Sequence, residues 1–576
     1  MHRNKEKPKA IDLSHHLSNV SKARKTSPLK GLQRYSGKEG VVQMAGGFPS
    51  PAYFPFSELS AEGLVPDSFP LSPTSSSTSA FSWLFRLFQG SKPPEKTTHL
   101  TIPKYPAAPN DLNLAASLQY GKPEPDSRIK RLALSLSESG FSTGMAKGVP
   151  QLQKILDELV GKVYKPAYED SVILVHAGNT DGWFKCVQTF CNPGDGILVS
   201  EWTYPSAVAT MVPYDIKPVP VPMDGLGMSS VGLRKVLEEW DGSVSGMPRP
   251  RVMYIVPIGQ NPTGAPSTDE IGKTMGIERK QEIYNICVEF DVLIVEDDPY
   301  YFLQEAPYVP KSKRSAIARF NSDEEYLSHL VPSFLSIDYQ GRVIRLDSFS
   351  KTITPGCRLG WFTCNSTFAE RFERQGETTT QAPCGYGQSI VTALLLNWGY
   401  DGYIRWLRAL ASQYQLRRDF ILDCLGDEFH LKLHYETSGV WSGCDIYRAY
   451  GKAPADVAFN EKLTTIKPMF SLVPPTSGMY IWASYLSAST CLQLHLDNHP
   501  SFDGNGETLE MQLWIDLAEA GVLFAPGWMF SAKEENTDVP GEGHFRISFS
   551  NADVSTPSSA SPILDMKAPG WRSSKS

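Results

Sequence analysis

Between about residue 150 and residue 400 the chain alternates short apolar runs with amphipathic stretches. Val172–Val175, Gly196–Val199, Arg251–Val256, Val292–Val295 and Val343–Leu346 are rich in β-branched residues and short. Runs of that kind predict buried strands. Gln151–Val160 places Leu152, Ile155, Leu156 and Leu159 at one-face helical spacing, and Arg279–Phe290 predicts a helix between two of the strands. Strands alternating with helices imply an α/β layer fold with a mostly parallel sheet. Ligands of such sheets bind beyond the C-terminal ends of the strands. The residues just after each apolar run are therefore the ones to read for chemistry.

Three strand ends carry chemistry. Val343–Leu346 leads into Ser348-Phe349-Ser350-Lys351-Thr352 and then Gly356-Cys357-Arg358-Leu359-Gly360-Trp361. A lysine among small hydroxyl residues, with an arginine seven positions on, suits a phosphate-bearing aldehyde. The amine can form a Schiff base, and the hydroxyls and guanidinium can hold the phosphate. A solvated loop lysine is the bland alternative for this segment alone. Val292–Val295 leads into Glu296-Asp297-Asp298-Pro299-Tyr300-Tyr301. A carboxylate there can keep a pyridine nitrogen protonated, and Tyr300 can donate to a phenolic oxygen on the same ring. Solvated strand-end carboxylates are the alternative. Arg251–Val256 leads into Gly259-Gln260-Asn261-Pro262-Thr263-Gly264, a turn by its Asn-Pro and Thr-Gly content. All three in this order, each at a strand end, are hard to attribute to chance.

Together the segments resemble those of the fold-type-I aminotransferases that use pyridoxal 5′-phosphate. More narrowly, they resemble fungal aromatic amino acid aminotransferases and the 2-aminoadipate/kynurenine aminotransferases. The narrower likeness rests on Ala45-Gly46-Gly47-Phe48-Pro49-Ser50-Pro51 with Phe54-Pro55-Phe56, Leu118-Gln119-Tyr120-Gly121, Glu296–Leu303 and Val473-Pro474-Pro475-Thr476-Ser477-Gly478-Met479. It runs from about Asp12 to about Asn551, with interruptions. The resemblance implies a three-layer large domain with a mostly parallel sheet, plus a smaller α+β domain built from the N- and C-terminal segments. On that basis residues 1–40 form an N-terminal arm, partly disordered, and 41–147 the N-terminal part of the small domain with inserted loops. Residues 148–410 form the cofactor-binding large domain, 411–552 the C-terminal small domain and 553–576 a disordered tail.

The resemblance also implies roles. Lys351 resembles the Schiff-base lysine, Asp297 the partner of the pyridine nitrogen, and Asn261 and Tyr300 the donors to the phenolic oxygen. Ser348, Ser350 and Arg358 resemble the phosphate cup. Gly178-Asn179-Thr180 resembles the loop that adds donors to the phosphate, with a helix expected from near Asp181. Many relatives carry Ser-Gln where Asn179-Thr180 stand. Tyr204 resembles the aromatic that stacks on the cofactor ring. Arg546 resembles the arginine that grips the substrate carboxylate bidentately, an ordinary strand-end arginine being the alternative. Asn261 and Gly47 are placed beside the substrate. Lys30 either reaches the substrate side chain or is simply solvated, and the sequence leaves both open. Tyr120 resembles the tyrosine that reaches the phosphate of a neighbouring subunit, which implies a homodimer with shared active sites.

The expected activity is ping-pong transfer of the amino group of tyrosine, phenylalanine or tryptophan to a 2-oxo acid such as 2-oxoglutarate. 2-Aminoadipate and kynurenine are the alternative donors. A lyase or cyclising synthase shares Lys351, Asp297 and Arg546. An aminotransferase-like regulator needs a DNA-binding module ahead of Gly46, and about forty residues are too few for one.

Composition narrows the setting. The 576 residues suffice for more than one domain, and a net charge of −7 argues against nucleic acid as the main partner. Nine cysteines without a Cys-x-x-Cys pair suggest reduced thiols and a cytoplasmic location. Eleven histidines without a ligand-spaced cluster give no reason to expect a metal. The early sequence contains no apolar run of signal-peptide or membrane-spanning length. Its basic N-terminal stretch reads as a solvated, frayed end, with a mitochondrial presequence as the alternative. Pro66–Pro106, Lys122–Lys147 and His434–Ile466 look inserted. The first reads as a flexible loop carrying the apolar knot Phe81–Phe88, and the tail Ser555–Ser576 is polar.

Overall fold

The computed structural model describes residues 7–25, 51–69, 71, 95–108, 111–118, 148–264, 275–314, 320–451, 468–486, 509–519, 521–533 and 542–550. Its strands, in chain order, begin with a hairpin of β1 (Glu58–Leu64) and β2 (Thr97–Pro103). The large sheet takes β3 (Ser171–His176), β4 (Gly196–Ser200) and β5 (Lys217–Val221). A two-residue pair follows, β6 (Met223–Asp224) and β7 (Gly227–Met228). The large sheet is completed by β8 (Val252–Ile255), β9 (Leu293–Asp297), β10 (Val343–Ser348) and β11 (Gly360–Asn365). A second sheet contains β12 (Phe429–Tyr435), β13 (Asp445–Gly451), β14 (Phe470–Leu472), β15 (Tyr480–Leu486), β16 (Ala525–Pro526) and β17 (Glu542–Ser548).

The large sheet runs β3-β11-β10-β9-β8-β4-β5, with β11 antiparallel to both neighbours and the other pairings parallel. Its central strands are buried on both faces, which is why they read as unbroken apolar runs. Pro218 and Pro220 lack an N–H and fall on β5, an edge strand, where a missing donor is tolerated. The second sheet, β12-β13-β14-β15-β17-β16, is antiparallel throughout. Helices Asn179–Phe190 and Ile277–Glu289 pack within the large unit. The helix Gly385–Glu428 is interrupted at Gly399, where φ is +66°.

Several expectations change. The helix expected from near Asp181 starts two residues earlier, at Asn179. Part of the stretch read as a flexible loop is a strand: Thr97–Pro103 pairs with β1 in full register and buries Leu100 and Ile102. His434 lies within β12, paired with Ile446 of β13. Gly47, Lys30, Tyr120, the knot Phe81–Phe88, the segment Lys122–Lys147 and the tail 553–576 lie outside the described residues. Among the described residues no helix is long and apolar enough to cross a membrane.

The N-terminal segment is tied to the large unit. Leu13 and Leu17 are buried in its core, each contributing about 1.5–3 kcal/mol on full burial. The backbone of Ile11 donates to Gln340 O, and the Ser18 hydroxyl to Gln188 O. His15 and His16 both place Nε2 on the carboxylate of Asp291, at 2.7 and 3.0 Å. These three are the one metal-ligand-type group that converges among the described residues. Nδ1 of His16 is buried without a partner among the described residues. A metal on Nε2 would force a proton onto that orphan nitrogen; a hydrogen bond to Asp291 needs none there.

Burial pushes His16 down to about 4, against the opposing pull of Asp291. His15 and Arg251 are the other charged groups facing it. A histidine depressed in the folded state binds its proton more readily once unfolded. Its stabilising share is complete above about pH 6.5 and is lost as pH falls towards 4. Amide-exchange protection at Leu13–Leu17 is expected to weaken over that interval. Constant protection from pH 7 to pH 4 would refute it.

Candidate active site

The sequence-predicted residues that fall in the described regions meet at one place. Asn179 and Thr180 follow β3, Tyr204 follows β4, Asn261 follows β8, Tyr300 follows β9, and Ser350 and Lys351 follow β10. Asp297 and Ser348 are the last residues of their strands. These residues, with Arg358 and Arg546, line a cavity of about 350 Å³, within the range of small-molecule sites. Trp183, Ser206, Tyr254, Val256, Pro299, Pro355 and Tyr480 complete its wall. Sequence reading had given none of these seven a role at the site.

Adjacent strand residues point to opposite faces, and this separates Asp297 from Asp298. Asp297 faces the cavity. Its carboxylate accepts from the Tyr254 hydroxyl at 2.7 Å and from Asn179 Nδ2 at 2.6 Å. Burial raises its pKa, while those two donors and Arg345 oppose the rise. Asp298 lies on the far face, 3.0 Å from Arg345 Nη1. Arg345 also reaches Glu296 at 3.2 Å and Asp347 at 3.0 Å, and its guanidinium sits over the rings of Tyr164 and Tyr301. Burial pushes Asp298 up to about 7; Arg345 opposes this and Glu296 adds to it. The buried cluster binds the ends of β9 and β10 to each other from behind the cavity.

At one end of the cavity, Ser348 Oγ donates to Ser350 Oγ at 2.8 Å and accepts from the Ser350 N–H at 3.0 Å. Arg358 bonds to Ala177 O at 2.8 Å, which brings its guanidinium against Gly178. The N-terminus of the helix Asn179–Phe190 meets this end. Helix N-termini present unpaired N–H groups to anions. The Asn179 side chain is spent differently from the reading above: its Nδ2 goes to Asp297 and to Leu346 O, and its Oδ1 is buried without a partner among the described residues. His176 accepts the Gly178 N–H on Nδ1 at 3.2 Å, and burial pushes it down to about 3, so it stays neutral.

Gly178 has φ +98° and ψ 160°, a region essentially closed to other residues. A Cβ there would lie 2.5 Å from Arg358 Nη2. Gly178→Ala is expected to cost about 1–3 kcal/mol in backbone strain and to weaken phosphate-ester binding by displacing Arg358. Thermal unfolding and ligand titration check both; wild-type values in both would refute it.

At the other end, Arg546 Nη1 donates to Asn261 Oδ1 at 2.7 Å. Arginine can only donate, so the amide oxygen faces it and Asn261 Nδ2 is left as a donor. The guanidinium is contacted by the rings of Tyr480 at 4.2 Å and Phe530 at 4.7 Å, and its Nε has no partner among the described residues. The Asn261 turn is held by Gln260, whose Oε1 accepts from the N–H and hydroxyl of Thr263. Gly259 and Gly478 let this turn approach the second sheet: a Cβ on Gly259 would lie 2.7 Å from the Gly478 Cα.

Tyr254 was findable in principle. Val252, Tyr254 and Val256 pack on one side of the large sheet together with Val295 of β9, so strand parity puts Tyr254 on the face of Asp297. Tyr480 gave no such signal, because its neighbours come from distant segments.

The fold and this site define an aminotransferase of the α/β, fold-type-I kind. A family model, "Aminotransferase class I and II", matches residues 112–440, and the chain belongs to that family, whose members use pyridoxal phosphate. Among individual proteins, it is 31% identical over 546 residues to an aromatic amino acid aminotransferase of Schizosaccharomyces pombe, covering 94% of each chain. It is 30% identical over 534 residues to an L-tyrosine:2-oxoglutarate aminotransferase of Serpula lacrymans, covering 90% of this chain and 84% of the relative. Aminotransferase Aro8 from Candida albicans has a similar structure, with a TM-score of 0.73, 29% identity and 98% of each chain covered.

Proposed function

We propose that this aminotransferase binds pyridoxal 5′-phosphate in the cavity and takes aromatic amino acids as donors. One observation carries the cofactor reading: a buried carboxylate, Asp297, faces the same cavity as Lys351, with an anion-suited end beside them. The donor set fits the group. Ser348, Ser350, Arg358 and the helix N-terminus would hold the phosphate. Asp297 would meet the ring nitrogen, and burial gives its carboxylate strong reason to take a cationic partner. Asn261 Nδ2 and the Tyr300 hydroxyl would meet the phenolic oxygen, and Tyr204 the ring face.

The cofactor, when bound, supplies an aldehyde for amine exchange and a ring that accepts the electrons of the deprotonated α-carbon. The residues do the rest. The Lys351 amine would take the proton from the substrate α-carbon and deliver it two atoms along, across the linking nitrogen. Arg546 fixes the α-carboxylate, and its flanking rings and Asn261 keep the guanidinium from swinging. Asp297 holds a proton on the ring nitrogen throughout. Donors of aromatic type are supported by the named activities of the relatives. 2-Oxoglutarate is the proposed acceptor by the same likeness.

An amino-donor panel with 2-oxoglutarate tests this reading. Tyrosine, phenylalanine and tryptophan are expected to exceed 2-aminoadipate, kynurenine and aspartate in kcat/KM. Preference for one of the last three would overturn the aromatic assignment. We further propose a homodimer with shared sites, Tyr120 reaching the partner's phosphate. Sedimentation of active enzyme is expected to give twice the chain mass; a fully active monomer would remove it.

A further inference from the structure

The roles above leave one buried hydroxyl of the cavity wall unassigned. Tyr480 is the first residue of β15 and is 8% exposed. Its hydroxyl lies 3.3 Å from that of Tyr300, and the two rings meet edge to face with centroids 6.0 Å apart. The face of the Tyr480 ring carries the Arg546 guanidinium, 4.2 Å from the centroid. Arg546 comes from β17, which pairs with β15, Trp482 opposite Arg546 and Tyr480 opposite Ser548. One side chain therefore touches both the proposed phenolic-oxygen donor and the proposed carboxylate grip.

We propose that Tyr480 is a positioning residue whose hydroxyl bonds to Tyr300, directing the Tyr300 proton into the cavity, while its ring fixes Arg546. The proposal rests on the cofactor reading above. A phenol has one proton to give and lone pairs to accept with. Two hydroxyls bonded to each other use only one of their two protons between them. When Tyr480 donates, the Tyr300 proton remains for an acceptor in the cavity. A bond received at Tyr300 also polarises its own O–H, since linked hydrogen bonds strengthen one another in a low-dielectric interior. Without that bond the Tyr300 hydroxyl can flip to its other in-plane orientation, away from the cavity. The ring contributes separately: it presents a flat negative face to the guanidinium, which the Phe530 ring also contacts.

The two parts separate by substitution. Tyr480→Phe keeps the ring and removes the hydroxyl; Tyr480→Leu removes both. The first readout is the absorbance of the pyridoxal phosphate holoenzyme titrated against pH, which senses the phenolic oxygen and needs no turnover. Asp297, Arg546 and Lys351 share the cavity, so the midpoint is compared between variants. Tyr480→Phe is expected to raise the midpoint, because a weaker donor at the phenolic oxygen stabilises its anion less. It is expected to lower kcat roughly two- to tenfold, the scale of one hydrogen bond, with KM for tyrosine unchanged. Tyr480→Leu is expected to raise that KM as well. In a Tyr300→Phe background, Tyr480→Phe is expected to move the midpoint no further. A wild-type midpoint and kcat in Tyr480→Phe, or additive shifts in the double variant, would overturn the proposal while leaving the cofactor reading intact. Failure of the wild-type protein to take up pyridoxal phosphate would overturn both.

Discussion

Lys351→Ala is expected to lower turnover by about ten-thousand-fold, the upper end of what positioned proton transfer contributes. The loss is this large because one amine performs two tasks. It forms the covalent tie to the aldehyde, and it moves the substrate proton. Folding is expected to survive, since Lys351 is only half-buried at a turn. The variant should still bind pyridoxamine phosphate through the Ser348, Ser350 and Arg358 end. Borohydride reduction of the wild-type holoenzyme should place the pyridoxyl label on Lys351. Label on another lysine, or a variant retaining a tenth of wild-type turnover, would refute the assignment.

The second large effect separates two adjacent carboxylates. Asp297→Asn is expected to lower kcat about a hundred- to several-thousand-fold. That range converts the roughly 3–5 kcal/mol lost when one member of a buried charge pair is removed, at about 1.4 kcal/mol per tenfold. Thermal stability should fall by only about one hydrogen bond, roughly 0.5–1.5 kcal/mol, because asparagine still accepts from Tyr254 but offers a donor in place of the acceptor that Asn179 Nδ2 meets. Asp298→Asn should do the reverse. Its carboxylate belongs to the Arg345 cluster behind the sheet, so the melting temperature falls while kcat stays within about tenfold, one hydrogen bond's worth of misplacement. The opposite pattern, with Asp298→Asn crippling and Asp297→Asn mild, would mean that the strand register places the wrong residue in the cavity.

The central parallel strands β4, β8, β9 and β10 were legible because burial on both faces leaves no polar alternation to hide them, whereas β5, a half-exposed edge strand carrying two prolines, was not. The C-terminal limits of β9 and β10 were not legible either. Val292–Val295 and Val343–Leu346 end, by hydropathy, before the charged residues, yet β9 runs through Asp297 and β10 through Ser348. Glu296, Asp298 and Asp347 each pair with Arg345 inside the fold, and hydropathy registers each of the four separately as exposed. The same blindness hid β2. Its Leu100–Ile102 alternation lies beside a Pro-, Ser- and Thr-rich stretch that dominated the reading of the whole segment. At the site, residues attached to strand ends were found because the motif and the topology point to the same places. Tyr254 and Tyr480 were not, since their relevance lies in partners 43 and 180 residues away.

A single-turnover experiment tests the central claim most directly. Pyridoxal phosphate holoenzyme is mixed with excess tyrosine in the absence of any oxo acid, and the small-molecule products are quantified. The account predicts about one equivalent of the corresponding 2-oxo acid per chain, no free ammonia, and a stop that 2-oxoglutarate relieves. Tyrosine consumed with release of ammonia, loss of carbon dioxide or a cyclised product would contradict it.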